Sequence, residues 1–353
     1  RHMFLAISLT SVALIFLNDS IIHSPLLGIT LGVAYFLANV RLMVDLIPDL
    51  DPDLERHLKY PFGLLTVLML ISFVGGTFIS IYKLTLPITA LSLLIVSLAV
   101  FLLAEKIGQG PHRPNVYSMA FDTTQVHHDT LLIVPAIALM VSGMAVLVSV
   151  RGPHADIWLA IPPIYKILYV ALTFIALLPM ILKCRVKIAL SAIIIHSVLL
   201  HSTFLCVYET TYGEDTWRHM AIEKILLDGF EMYPPIRNKW YTIWHIPVPE
   251  FILSHRWTES GLYAIVVTLR RVLQLDLLSI HISIVPALSS VFTPLMLFQI
   301  GRNLYPRDRR VGLLLAILHS VFYPVIIYSL FTVPVGLSII GTLFILMTWS
   351  IYM

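Results

Sequence analysis

Runs such as LLIVPAIALMVSGMAVLVSV, residues 131–150, hold no charged side chain over a full membrane crossing, and runs of this kind recur from one end of the chain to the other. Inside hydrocarbon every backbone N–H and C=O must be bonded within the protein, so only helices and closed barrels span it. A barrel strand alternates polar with apolar residues. These runs do not alternate, so the expected fold class is all-α, a polytopic integral membrane protein. At about twenty apolar residues per crossing, spans fall at 3–17, 25–44, 61–82, 84–103, 130–150, 158–182, 186–208, 278–304, 311–329 and 334–353, about ten helices.

Composition agrees. The chain is 58% hydrophobic and 12% charged, whereas a soluble domain is roughly 25% charged. The opening RHMFLAISLTSVALIFL has the apolar stretch of a signal peptide but no small-residue cleavage site, and reads as a first, short span. The other end, GTLFILMTWSIYM, stops inside an apolar run, so further sequence is expected beyond Met353. A net charge of +3 with Lys and Arg scattered among loops gives no basic stripe, which excludes nucleic acid as a partner. Cys184 and Cys206 sit near opposite ends of one apolar run. At a helical rise of ~1.5 Å per residue they are roughly 30 Å apart, beyond disulfide reach.

If the spans alternate, Arg41, Arg56, Lys59, Lys106, Arg113, Lys183, Arg185, Lys187, Arg302, Arg307, Arg309 and Arg310 fall on one side, while short loops on the other hold only Lys83 and Arg151. The positive-inside rule makes the first side cytoplasmic. Residues 209–277 are then external, in a cell membrane. That segment is the longest between spans and carries nine of the 20 acidic residues; loops of this length are usually functional. Within it, 216–227 and 259–275 read as amphipathic helices lying in the outer interface, the first ending at Gly229. Thr216, or the carboxylates just before it, suits its N-cap. Trp217, Trp240, Tyr241, Trp244 and Trp257 are the aromatic anchors such a location favours. Composition divides the chain into an N-terminal module of about six spans, 1–182, and a core, 183–353, that carries the external segment.

Chemistry concentrates in the stretch YETTYGEDTWRHMAIEKILLDGF, residues 208–230. Carboxylates at a helix start are favoured by the helix dipole, so Glu214 and Asp215 serve at least as a cap. The sharper reading makes one of them a general base at the membrane surface, with Glu209 nearby to raise its affinity for a proton.

A span that emerges into an acidic pair, continues as an interfacial helix and ends at Gly resembles the GT-C superfamily of membrane glycosyltransferases, in particular the aminoarabinose and protein mannosyl transferases. EDTWRHMAIEKILLDG follows the pattern of their first external loop. SGLYAIVVTLRRVLQLD resembles their second interfacial helix, and residues 282–337 their next spans. The likeness covers 183–353; the acidic pair is inverted, and His281 stands where an Arg is common.

What the resemblance implies is transfer of a hexosyl or pentosyl group from a polyprenyl-phosphate-linked donor to a glycan, lipid or protein acceptor, with Glu214 or Asp215 as base. Arg256, Arg270 and Arg271, with Lys239 and His255 behind them, are then candidates to hold the lipid phosphate; anchoring to anionic head groups is the alternative. The resemblance fixes no cofactor. A divalent cation, Mg or Mn, stays open, with Glu209, Asp215, His219, His245 and Glu250 as its oxygen and nitrogen ligands.

Other polar residues have plainer readings. His127 and His128 lie in a cytoplasmic loop and read as surface residues. His196 and His201 share a span, five apart and so not on one face, and read either as functional intramembrane groups or as imidazoles bonded to a neighbouring helix. Lys166 is the only Lys well inside a predicted span, which calls for snorkelling, a partner, or a different span start. Two rivals accompany the transferase: a transporter or flippase of lipid-linked sugars, which calls for midplane ionisable groups and broken helices in paired halves, and a non-catalytic docking subunit.

Overall fold

The computed structural model describes residues 1–47, 55–107, 126–154, 156–182, 184–210, 214–232, 240–243, 246–249, 256–306, 308–320, 326, 328–330 and 332–352. The architecture is helical throughout apart from one short ribbon. In chain order it runs α1 His2–Leu17, closed by a π-helical turn Asn18–Ile22, then α2 Pro25–Val44, α3 Glu55–Ile81, α4 Leu86–Ile107, α5 Val126–Val148, the single turn α6 Ile157–Ala160, α7 Pro163–Ile181 and α8 Val186–Val207. The segment after α8 forms α9 Glu214–Leu227, the antiparallel pair β1 Trp240–Ile243 and β2 Ile246–Pro249, and α10 Arg256–Leu273. It is followed by α11 Leu277–Leu304, α12 Arg309–Leu318 and α13 Pro334–Tyr352.

Eight described helices are long and apolar enough to cross a membrane: His2–Ile22, Pro25–Val44, Leu58–Ile81, Leu86–Lys106, Pro163–Ile181, Val186–Val207, Leu277–Leu304 and Pro334–Ile351, with Leu132–Val148 as a shorter apolar helix. Three expected spans differ, the first being that at 130–150, which appears as the shorter Leu132–Val148. The one placed at 158–182 is interrupted, because Pro162 and Pro163 stop α6 and Pro163 opens α7 at a position where its missing N–H costs nothing. Lys166 therefore sits exposed in the first turn of α7 rather than deep in a span. The span placed at 311–329 is represented by α12, whose 10 residues reach only ~15 Å of the ~30 Å hydrocarbon thickness; residues 321–325 and 327 lie outside the described residues.

Packing groups the chain into two compact units, one of residues 1–50, 55–114 and 217–281, the other of 51–54, 115–216 and 282–353. This is a different partition from the compositional one at 182. In the first unit, Asn18 ties off the α1–α2 turn by exchanging hydrogen bonds of 3.0 Å with the backbone of Ser24, and Ser24 caps α2. Tyr35, Leu42, Val67, Ile71 and Leu93 form its apolar core. Here α10 departs from expectation. Instead of lying as a surface helix it is enclosed, with every residue from Leu262 to Thr268 at 1% exposure or less. Small residues let it in: a Cβ on Gly28 of α2 would lie 2.7 Å from the Val272 carbonyl oxygen, and one on Gly75 of α3 2.8 Å from Ala264. In the second unit, α5, α7 and α8 pack around Leu147, Leu172, Leu199 and Phe204.

The ribbon was not legible as strand from periodicity. Pro247 and Pro249 alternate along β2, facing Thr242 and Trp240. Their missing donors fall on alternate positions of a strand with one partner, where a proline is tolerated.

Candidate functional site

The acidic stretch folds as α9, which starts two residues earlier than expected, so Glu214 and Asp215 form its first turn and Thr216 is a buried residue inside it rather than its cap. Asp215 is exposed; of Glu214 only the backbone is described. The far end closes as anticipated at Gly229, whose φ of +84° is the left-handed conformation glycine adopts without steric cost. Gly229 N–H donates to the Leu226 carbonyl at 3.1 Å and Phe230 N–H to that of Ile225 at 3.1 Å, the paired bonds of a Schellman stop.

The face of α9 that is buried is not its apolar one. Thr216, His219, Glu223 and Leu226 are buried, at spacings of three and four that share one side of a helix, while Trp217 and Ile225 are exposed. That buried face meets α10 and the first turns of α11. Tyr263 of α10 donates its hydroxyl proton to Glu259 at 3.1 Å, and the same oxygen lies 2.5 Å from His219 Nδ1. The His219 tautomer with its proton on Nδ1 completes that chain. Arg218 approaches Glu259 at 3.9 Å.

Glu223 and His281 form a second link. Oε2 lies 2.7 Å from Nδ1, and both side chains are wholly buried. Burial pushes the Glu223 carboxyl above the usual carboxylate range, and the hydrogen bond and charge of His281 pull the other way. Their remaining atoms, Glu223 Oε1 and His281 Nε2, are buried without a hydrogen-bond partner.

Arg271, near the end of α10, is the third. One terminal nitrogen donates to the Leu84 carbonyl at 2.7 Å and to Thr89 Oγ1, the other to the Leu226 and Leu227 carbonyls at 3.5 and 3.4 Å. Asp19 lies 3.9 Å from Nε, and Gln274 also donates to Asp19, at 2.6 Å. One guanidinium thus joins the α1–α2 turn, the start of α4 and the end of α9. Burial lowers its pKa to about 10, with Asp19 opposing, so it keeps its charge at neutral pH. The turn after α1, the start of α4 and the ends of α9 and α10 meet at this end of the unit.

The expected phosphate-binding cations therefore separate. Arg271 has its donors engaged by protein oxygens. Arg270, a third exposed, bonds Gln274 at 3.0 Å and lies 3.7 Å from Asp19. Arg256 opens α10 with its side chain outside the described residues, as are Lys239 and His255. Of the proposed metal ligands, Glu209 and Asp215 are exposed, His219 is buried against Tyr263, and His245 and Glu250 lie outside the described residues. No group of three or more metal-ligating side chains occurs among the described residues. The side chains of His127 and His128, at the start of α5, also lie outside them.

His196 and His201 face different neighbours. His196 Nε2 lies 2.9 Å from Thr173 Oγ1, its ring 4.7 Å from that of Tyr169. His201 bonds the Ser197 carbonyl at 2.8 Å and Ser329 at 2.9 Å, and its ring stacks on His319, which bonds Ser197 at 2.9 Å. These are imidazoles bonded to neighbouring helices, one of the two readings open from the sequence.

Sequence reasoning missed Asp19, Glu223, Glu259 and Tyr263, and noted His281 only as a departure from the family pattern. A weak signal existed: His219, Glu223 and Leu226 share one helix face, so a polar stripe was there to be buried. No known protein family, curated protein or solved structure matches the chain. Fold and composition define it as a multi-pass α-helical membrane protein.

Proposed function

We propose that this is a glycosyltransferase of GT-C type, moving a sugar from a polyprenyl-phosphate-linked donor to an acceptor at the outer face of the membrane. The observation that carries the reading is Asp215, an exposed carboxylate in the first turn of a helix that follows a spanning helix at once. A base there meets a water-borne acceptor and a membrane-borne donor together. The acceptor oxygen or nitrogen bonds to the anomeric carbon, the bond from that carbon to the phosphate oxygen breaks, and the acceptor proton passes to Asp215 or Glu214. The lipid phosphate leaves with its electron pair, and Arg256, which opens α10, is the cation proposed to meet its charge, since a planar guanidinium fork suits phosphate oxygens; Arg270, 14 residues further along the same helix, is roughly 21 Å away. Arg271 supports the site through the end of α9 rather than by touching phosphate.

The test is a transfer assay on purified protein with a polyprenyl-phosphate sugar. Asp215→Asn or Glu214→Gln is expected to lower kcat by about 10²–10⁴-fold while the thermal transition stays in place. Full turnover in both variants removes the base from this helix. Lipid translocation without a new glycosidic bond replaces the transferase with a transporter.

A further inference from the structure

Glu223 and His281 form a wholly buried pair of the first unit that the proposed chemistry leaves unused. They come from elements far apart in sequence, are wholly enclosed, and meet at 2.7 Å. Each keeps one polar atom, Oε1 and Nε2, with no partner and no surface accessible to water. Packed proteins rarely leave such atoms unmatched, and apolar residues of similar volume are often as stable as a buried ion pair. A proton between Oε2 and Nδ1 leaves both of those atoms open, so the pair is set apart by the charge it encloses rather than by a missing ligand.

We propose that Glu223 and His281 hold one shared proton that keeps α9 docked on the start of α11, which makes them positioning residues for the acidic first turn of α9. With that proton the pair is neutral overall, either as carboxylate and imidazolium or as carboxylic acid and imidazole, and the bridging hydrogen bond exists in both forms. Without it a carboxylate remains buried beside a neutral ring, and solvating that charge requires α9 to open.

Among the described residues, no other charge is poised to take over. On α9 itself, Arg218 and Lys224 are exposed, the latter bound to Asp228. On α10, Glu259 faces Tyr263 and Arg218, Arg270 faces Gln274 and Asp19, and Arg271 is held by Asp19 and backbone carbonyls. His219 faces Tyr263. On α11, Asp276 is spent on capping the helix through Ser279 N–H at 2.8 Å. Only burial and His281 act on the Glu223 carboxyl.

The sign follows. A carboxyl whose proton affinity is raised by folding contributes stability that is complete below the ordinary Glu value of about 4.3 and is lost as pH climbs through the raised value. The consequence for Glu214 and Asp215 rests on the transferase reading; the docking of α9 does not, and its measurement needs no substrate.

Hydrogen–deuterium exchange on the purified full chain, followed over 219–227 across a pH series and corrected for intrinsic exchange chemistry, tests this. The wild type is expected to open α9 increasingly as pH rises. Glu223→Gln, which keeps shape and hydrogen bonding but holds no exchangeable charge, is expected to flatten that dependence. His281→Leu is expected to speed opening at pH 7 by about tenfold or more, one pKa unit being a factor of ten. A wild-type opening rate independent of pH overturns the proposal without any variant, and so does a Glu223→Gln protein that keeps the wild-type slope. A wild type that shows no transfer activity, with the exchange pattern as described, counts against the transferase and leaves the docking proposal standing.

Discussion

The two units bury polar side chains by different rules. In the second, His201, His319, Ser197 and Ser329 form a network of imidazoles and hydroxyls, each ring bonded on both nitrogens. In the first, the buried groups at α9 and α10 include the carboxyl of Glu223 and a guanidinium, Arg271; buried atoms without a hydrogen-bond partner occur in both units, Glu223 Oε1 and His281 Nε2 in the first and His196 Nδ1 in the second, so the contrast lies in the buried charge. A network closed on itself serves as glue between helices, and such bonds in membrane bundles contribute modestly. A buried charge is a different investment, since breaking its pairing leaves an ion without solvent. The difference marks the contact of α9 with α10 and α11 as the place where charge is buried, and His201 and His319 of the second unit as structural.

The comparison is open to direct attack. Arg271→Leu removes the donors to Leu84, Thr89, Leu226 and Leu227 and leaves Asp19 without its buried cation. It is expected to cost about 3–5 kcal/mol, read from thermal or denaturant unfolding in detergent. Ser197→Ala deletes the 2.9 Å bond to His319 and the longer 3.3 Å one to His201 Nδ1, and is expected to cost roughly 0.6–1.7 kcal/mol. If the two losses are equal, the contrast between the units fails. The smallest effect belongs to Asp228→Asn, which weakens the exposed i,i+4 pair with Lys224. It is expected to change stability by about 0.3–0.5 kcal/mol, and less in high salt. A larger loss there makes exposed charge, and not burial, the origin of the contrast.

Much of the helical framework was legible in the residues. The span read at 25–44 is Pro25–Val44, and that read at 186–208 is Val186–Val207. Their boundaries are local events: Ser24 and Pro25 start the first helix, and the polar stretch after Tyr208 follows the second. Failures came where local signals conflict. Apolar composition carries straight through Pro162 and Pro163, although no helix does, and α12 lies in a run long enough for a span yet ends at Leu318. The ribbon at 240–249 was hidden because two prolines in four residues read as loop.

The candidate site was legible only in part, for a physical reason visible in α10. Its charged ends and apolar middle suggested a helix lying on a surface. An apolar stripe tells which side avoids water, but not whether other helices cover the polar side as well, as α2 and α3 do here through Gly28 and Gly75. Arg271 looked like a cation on offer to a phosphate and is instead held by protein oxygens from three elements.

Bilayer thickness and the need to bond every backbone group leave one solution for long apolar runs, so the amino-acid sequence by itself determined that this is a multi-pass helical protein with nine of its 20 acids in one segment between two spans. Which of those acids is buried was decided by tertiary structure alone. Glu223 and Lys224 are neighbours on the same polar helix, yet Glu223 is wholly enclosed and the Lys224 side chain is 66% exposed. Periodicity assigns residues to faces, but only the packing of α9 against α10 and α11 settles which face gives up its water.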